Sequence, residues 1–140
     1  MIAIDTNVLL RYLLADDEIQ HGKSKALIKK QHPVLITDVV LVEAVWTLTG
    51  KRYGLDKPAV CALVRVLVSD GAFVFESLQV IWSALCDYEE SKPVRGKALD
   101  FADALIVNKA HFTAENKGSL LSGFYSFDKA IEQLKGSKKP

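Results

Sequence analysis

Apolar and polar positions along the chain alternate between short aliphatic runs and longer amphipathic stretches. Met1–Ile4 is an apolar run that stops at Asp5-Thr6-Asn7 and reads as a buried strand ending at a polar edge. Thr6–Leu14 is apolar on one side and predicts a short helix. A second helix from Asp16 or Asp17 to about Lys30 has a mostly charged, solvated face. Pro33 belongs before or at the first residue of a strand, and Val34–Ile36 reads as the second strand. Thr37 or Asp38 caps a helix to about Thr49. Asp56 and Pro58 start another, with Val60, Leu63, Val64, Leu67 and Val68 on its apolar face. Ala72–Phe75 predicts a third strand and Leu78–Ser91 a helix. Residues 92–97 read as a loop, and a helix opens at Asp100 and runs to about His111. Leu120–Phe127 carries a fourth strand, and a short helix comes after Asp128. Trp46 and Trp82 read as core residues.

Strands separated by helices, without hairpin signatures, predict parallel pairing through helical crossovers. The strands are apolar throughout, as expected of a sheet covered on both faces. The expected architecture is a three-layer α/β/α sandwich with a small, mostly parallel central sheet. One domain over residues 1–134 is expected, with residues 135–140 a basic, frayed tail.

Composition narrows the function classes. Apolar residues make up 49% and charged residues 25%, with a formal net charge of +1, so no strong global field favours nucleic acid or membrane. Two distant cysteines, Cys61 and Cys86, form no disulfide framework; a reducing, cytoplasmic compartment is the simpler reading. No apolar run is long enough to span a bilayer, and the N-terminus does not read as a signal peptide.

Ligands of open parallel sheets sit beyond the carboxyl ends of the strands. Asp5 follows the first strand, Glu43 lies two turns into the helix after the second, Asp100 and Asp103 open a late helix, and Asp128 follows the fourth strand. Each has a bland alternative. Asp5, Asp100 and Asp128 suit helix caps, and Asp103 suits a variant capping box. Glu43 is the least comfortable. In Val-Val-Leu-Val-Glu-Ala-Val-Trp a carboxylate is costly unless it is paired, metal-bound or on a polar edge. Thr6 and Asn7 are weaker candidates, able to orient Asp5 or simply to form a turn.

Carboxylates drawn together repel unless a cation intervenes, and oxygen donors suit Mg²⁺ or Mn²⁺. Zinc is disfavoured because His21, His32 and His111 are scattered. No phosphate-binding glycine loop and no nucleophile–base pair is evident. Hydrolysis of a phosphodiester by metal-activated water is the direct chemical reading.

Four segments carry a family resemblance. MIAIDTNVLLR (1–11), ITDVVLVEAVWTLTGKRYGL (36–55), ALDFADALIVNKA (98–110) and YSFDKA (125–130) together resemble PIN-domain ribonucleases, closest to the VapC-like toxins of type II toxin–antitoxin pairs. The resemblance implies a small parallel sheet flanked by helices and Mg²⁺- or Mn²⁺-dependent cleavage of RNA. It also implies a homodimer silenced by a cognate antitoxin. On it, Asp5, Glu43 and Asp103 hold the metal, Asp128 completes the site or positions water, and Asp100 supports from beside them. Ser126 stands where many relatives carry Thr and keeps the hydroxyl. Arg11, Lys51, Arg52, Arg95 and Lys97 are candidate RNA contacts at the cleft rim, with ordinary solubility charge as the alternative. A housekeeping RNA-processing nuclease, a DNA nuclease and a non-catalytic binding module are the competing readings.

Overall fold

The computed structural model describes residues 1–140. The architecture is a mixed α/β fold with a small parallel sheet flanked by helices. The chain forms two compact units, Met1–Leu78 and Gln79–Pro140.

The first unit runs β1 (Ile2–Ala3), α1 (Thr6–Leu14), α2 (Glu18–Lys30), β2 (Val34–Ile36), α3 (Asp38–Thr49), α4 (Lys57–Ser69) and β3 (Phe73–Phe75). The strands pair in the order β1-β2-β3, all parallel, with Ile2 opposite Val34 and Val34 opposite Phe73. Parallel neighbours require crossovers, and each here contains two helices. Their helices start with side-chain caps. Asp5 Oδ1 accepts from the Val8 N–H at 2.9 Å, Thr37 Oγ1 from Val40 at 3.4 Å and Asp56 Oδ1 from Ala59 at 3.0 Å. Leu9, Val34, Ile36, Leu41, Leu48, Val60 and Val64 fill the core. Tyr12 meets Phe73 edge-on at 5.6 Å between ring centroids.

The second unit runs α5 (Leu78–Glu90, its first residue closing the first unit), α6 (Phe101–Asn116), β4 (Phe124–Tyr125), a 3₁₀ turn over Lys129–Gln133 and β5 (Ser137–Lys138). Its core is Val80, Ile81, Ala84, Leu85, Phe101, Ala104, Leu105 and Val107, with Tyr88 edge-on to Phe101 at 5.9 Å.

Three expectations need correction. The fourth strand is two residues long and pairs in parallel with β5, forming a separate two-stranded sheet. The expected frayed tail is therefore paired: Phe124 N–H donates to Gly136 O at 2.9 Å and Ser126 N–H to Lys138 O at 3.1 Å. Trp46 and Trp82 are not core residues, being 74% and 48% exposed. Hydrophobicity permits burial but does not enforce it.

Candidate active-site carboxylates

In the first unit, β1 delivers Asp5 to its carboxyl end, where Asp5 caps α1. Thr6, next in the chain, donates from Oγ1 to Glu43 Oε2 at 2.6 Å. This bond ties the first turn of α1 to α3 and brings the residue beside Asp5 against Glu43. The anticipated burial of Glu43 does not occur. α3 turns Leu41, Ala44, Val45 and Leu48 inward and leaves Glu43 exposed. Its position is fixed by Thr6, not by desolvation. Asn7 is exposed in the first turn of α1.

Glu76 is a carboxylate that sequence reasoning missed. It directly follows β3, and its Oε2 accepts from the Asp38 N–H at 2.6 Å, at the start of α3. The rule that singled out Asp5, an acid immediately after an apolar strand, applies to Phe75-Glu76 as well. The macrodipole at the α3 N-terminus favours an anion there.

In the second unit, residues 92–97 contain a tight turn where only a loop was expected. Val94 and Lys97 exchange backbone bonds at 2.9 and 3.0 Å, and Arg95 and Gly96 between them have φ of 50° and 80°. Two successive positive φ values are the pattern of a two-residue hairpin turn, and the glycine makes it accessible. The turn presents Lys97, whose Nζ lies 2.6 Å from Asp128 Oδ2. Asp128 also caps the 3₁₀ turn, its Oδ1 accepting from Ala130 at 2.9 Å. Its own N–H donates to Ser126 Oγ at 2.9 Å.

Asp100 and Asp103 form the capping box of α6, with Asp103 Oδ2 accepting from the Asp100 N–H at 3.0 Å. The bland alternative for this pair is therefore real, yet it leaves a charge problem. Asp103 is half-buried, and its carboxyl is pushed above the ordinary range, first by burial and then by the charges of Asp100 and Asp128. The Asp100 N–H and Lys97 oppose the shift without cancelling it. Lys97 holds Asp128 below the ordinary range through its hydrogen bond and is itself raised.

Replacing Lys97 with Ala should move the Asp128 pKa up toward the ordinary carboxylate value and Asp103 further up, as followed by carboxyl ¹³C NMR titration. A lowered acid contributes stability that is present above its ordinary pKa and lost as pH falls through the folded value. In the Ala variant that contribution should shrink at neutral pH and the acid-side decline become shallower. Its size is small because the Lys97 side chain is mostly solvated.

The other basic candidates are largely engaged. Arg11 Nη1 lies 2.8 Å from Asp16 Oδ1, and its Nε donates to Gln20 Oε1 at 2.8 Å. Arg52 stands 3.7 Å from Asp16 and over the Tyr53 ring. Arg95 reaches Glu132 at 3.9 Å, and Lys51 is exposed. A cavity of about 410 Å³ lined by Trp82, Asp87, Asn108, His111 and Phe112 among others includes none of the candidate acids.

No group of three or more His, Cys, Asp or Glu side chains is gathered as a metal site. The donor chemistry nonetheless fits a hard divalent cation. The donors are carboxylate oxygens, Asp103 carries a burial and repulsion cost that a cation would relieve, and an ammonium already stands against Asp128. No helix is long and apolar enough to cross a membrane, and neither Cys61 nor Cys86 forms a disulfide.

No curated protein matches the sequence. The crystal structure of Mycobacterium tuberculosis VapC20, described as a sarcin-ricin loop cleaving toxin, matches with 19% identity. The match covers 94% of this chain and 93% of that one at a TM-score of 0.41, a likeness too slight to bear on activity. The PIN-domain profile matches residues 2–135, nearly the whole chain, which supports a nuclease-type function at the level of the family. This chain belongs to the PIN-domain family.

Proposed function

We infer that this protein is a divalent-metal-dependent endoribonuclease and the toxin of a toxin–antitoxin pair, its two units making one nuclease domain. The observation that carries the reading is Asp103, a half-buried acid kept beside Asp100 and Asp128 at an electrostatic cost. Family membership supplies the reaction class.

Asp5, Glu43 and Asp103 would hold Mg²⁺ or Mn²⁺, with Asp100 and Asp128 in support. A bound ion there would supply an acidified water and neutralise charge developing on a scissile phosphodiester. The chain's own residues do the positioning. Thr6 orients the Glu43 carboxylate through its hydroxyl. Ser126 fixes the backbone at Asp128, and Lys97 offsets negative charge where a phosphate must approach carboxylates. Exposed Val39 and Trp46 on α3 and Val66 on α4 offer apolar area for a second copy of the chain, as the resemblance implies. A cognate antitoxin and cytoplasmic RNA complete the reading.

Purified protein should cut RNA with Mg²⁺ or Mn²⁺ and stop when EDTA is added. Parallel assays on DNA, tRNA and rRNA separate the toxin from a housekeeping or DNA nuclease. Absence of cutting together with absence of Mn²⁺ binding by calorimetry would replace the enzyme with a binding module.

A further inference from the structure

After β4 the chain runs through Ser126 and a bend at Phe127 to Asp128. Ser126 is half-buried, with its hydroxyl turned to the Asp128 N–H. The residues on either side of it do the opposite. Tyr125 is 60% exposed and Phe127 86% exposed. A single exposed aromatic needs no explanation, but two bracketing the residue that anchors an acid make a patch. Packing within the fold does not account for Phe127.

The surroundings of Tyr125 are cationic. Lys138 is its register partner across β4 and β5. A Cβ placed on Gly123 would come within 2.9 Å of Lys138 Cδ and 3.3 Å of Tyr125 Cε2. The lysine stem and the tyrosine ring therefore lie together over a residue that has no side chain. Nearby in sequence, Lys139 is neutralised by Glu132 at 3.0 Å, while Lys129, Lys135 and Lys138 form no ion pair. The apolar rings alone would suit a protein helix. An exposed ring set against the Lys138 stem, with a second exposed ring two residues on, suits a polyanion whose monomers carry flat π faces.

We propose that Tyr125 and Phe127 form a stacking platform for unpaired nucleobases of an RNA strand passing Asp128, with Lys138 holding a backbone phosphate. The proposal deepens the ribonuclease reading and rests on it for RNA as the substrate. Stacking accepts any base, so the platform favours single-stranded over duplex RNA with little choice of sequence.

The test is fluorescence anisotropy with a labelled single-stranded oligoribonucleotide of about ten nucleotides, in EDTA so that nothing is cut. Phe127→Ala and Tyr125→Ala should each raise Kd about 5- to 150-fold, with Phe127→Trp close to wild type. A strand of equal length carrying abasic sugars should bind wild type as weakly as the base-bearing strand binds Phe127→Ala. Because both rings are exposed, melting temperatures should not change. Wild-type affinity in both Ala variants, or equal binding of the abasic strand, overturns the platform and leaves a protein partner as the occupant of this face. Failure of wild type to bind either strand removes the RNA reading itself along with it.

Discussion

Asp103→Asn should lower RNA cleavage by at least ~100-fold, since loss even of a group that only supports a metal ligand typically costs 10–100-fold. The same change should leave the protein at least as stable at neutral pH. A carboxyl raised in the folded state binds its proton more tightly there than in the unfolded chain. Its contribution to stability therefore falls as pH rises from the ordinary carboxylate pKa through the raised one. Above that window the Asp103 charge is a net cost, imposed by burial and by Asp100 and Asp128. Asn removes the charge while its side-chain oxygen can still accept from the Asp100 N–H. Melting curves across pH should show the variant level with or above wild type at pH 7, the gap closing in acid. Mn²⁺ should raise the melting temperature of wild type and do so less for the variant, because a ligand held only by the folded chain stabilises it by mass action. A fully active variant, or one that melts well below wild type, would refute the assignment of Asp103 as a strained functional acid.

Leu9→Ala should cost about 2–5 kcal/mol of stability, the usual range for emptying a fully buried leucine site. Leu9 has no exposed surface and lies on α1, four residues after the Asp5 cap. Typical domains are stable by only about 5–15 kcal/mol, so a large fraction is at stake. Urea denaturation should show a lower midpoint with an unchanged slope. The exposed Phe127 provides the contrast, since truncating it removes a larger side chain from water-facing surface and should leave the midpoint where it was. A loss below ~1 kcal/mol at Leu9 would mean that α1 is not packed as described.

The contrast between Leu9 and Phe127 also marks what the sequence reveals. Val34–Ile36 is recognisable to the residue because Pro33 precedes it and Thr37 caps the next helix. Asp56 and the Asp100–Asp103 spacing announce their helices for the same reason, as backbone N–H groups at helix starts need acceptors. β4 and β5 have two residues each, too few for a period, and Ser137–Lys138 is polar, so its pairing depends on backbone groups brought from a distance. Of the candidate acids, Asp5, Asp100, Asp103 and Asp128 are legible as strand-end or helix-start residues and Glu43 as a carboxylate within an apolar helix. The partners that fix them are not. Thr6 meets Glu43 across 37 positions and Lys97 meets Asp128 across 31, and no local pattern encodes either contact. Arg11 reads as a free cation until the turn at Ala15 places Asp16 against it.

The pairing of β5 with β4 has a consequence for handling the protein. The backbone oxygens of Gly136 and Lys138 anchor Phe124 and Ser126. Those oxygens lie in a lysine-rich stretch that trypsin-like proteases favour. Clipping after Lys135 would strip the strand that leads into Asp128 of its anchors while sparing the helices. A preparation nicked there would keep its circular dichroism spectrum yet lose its competence to cut.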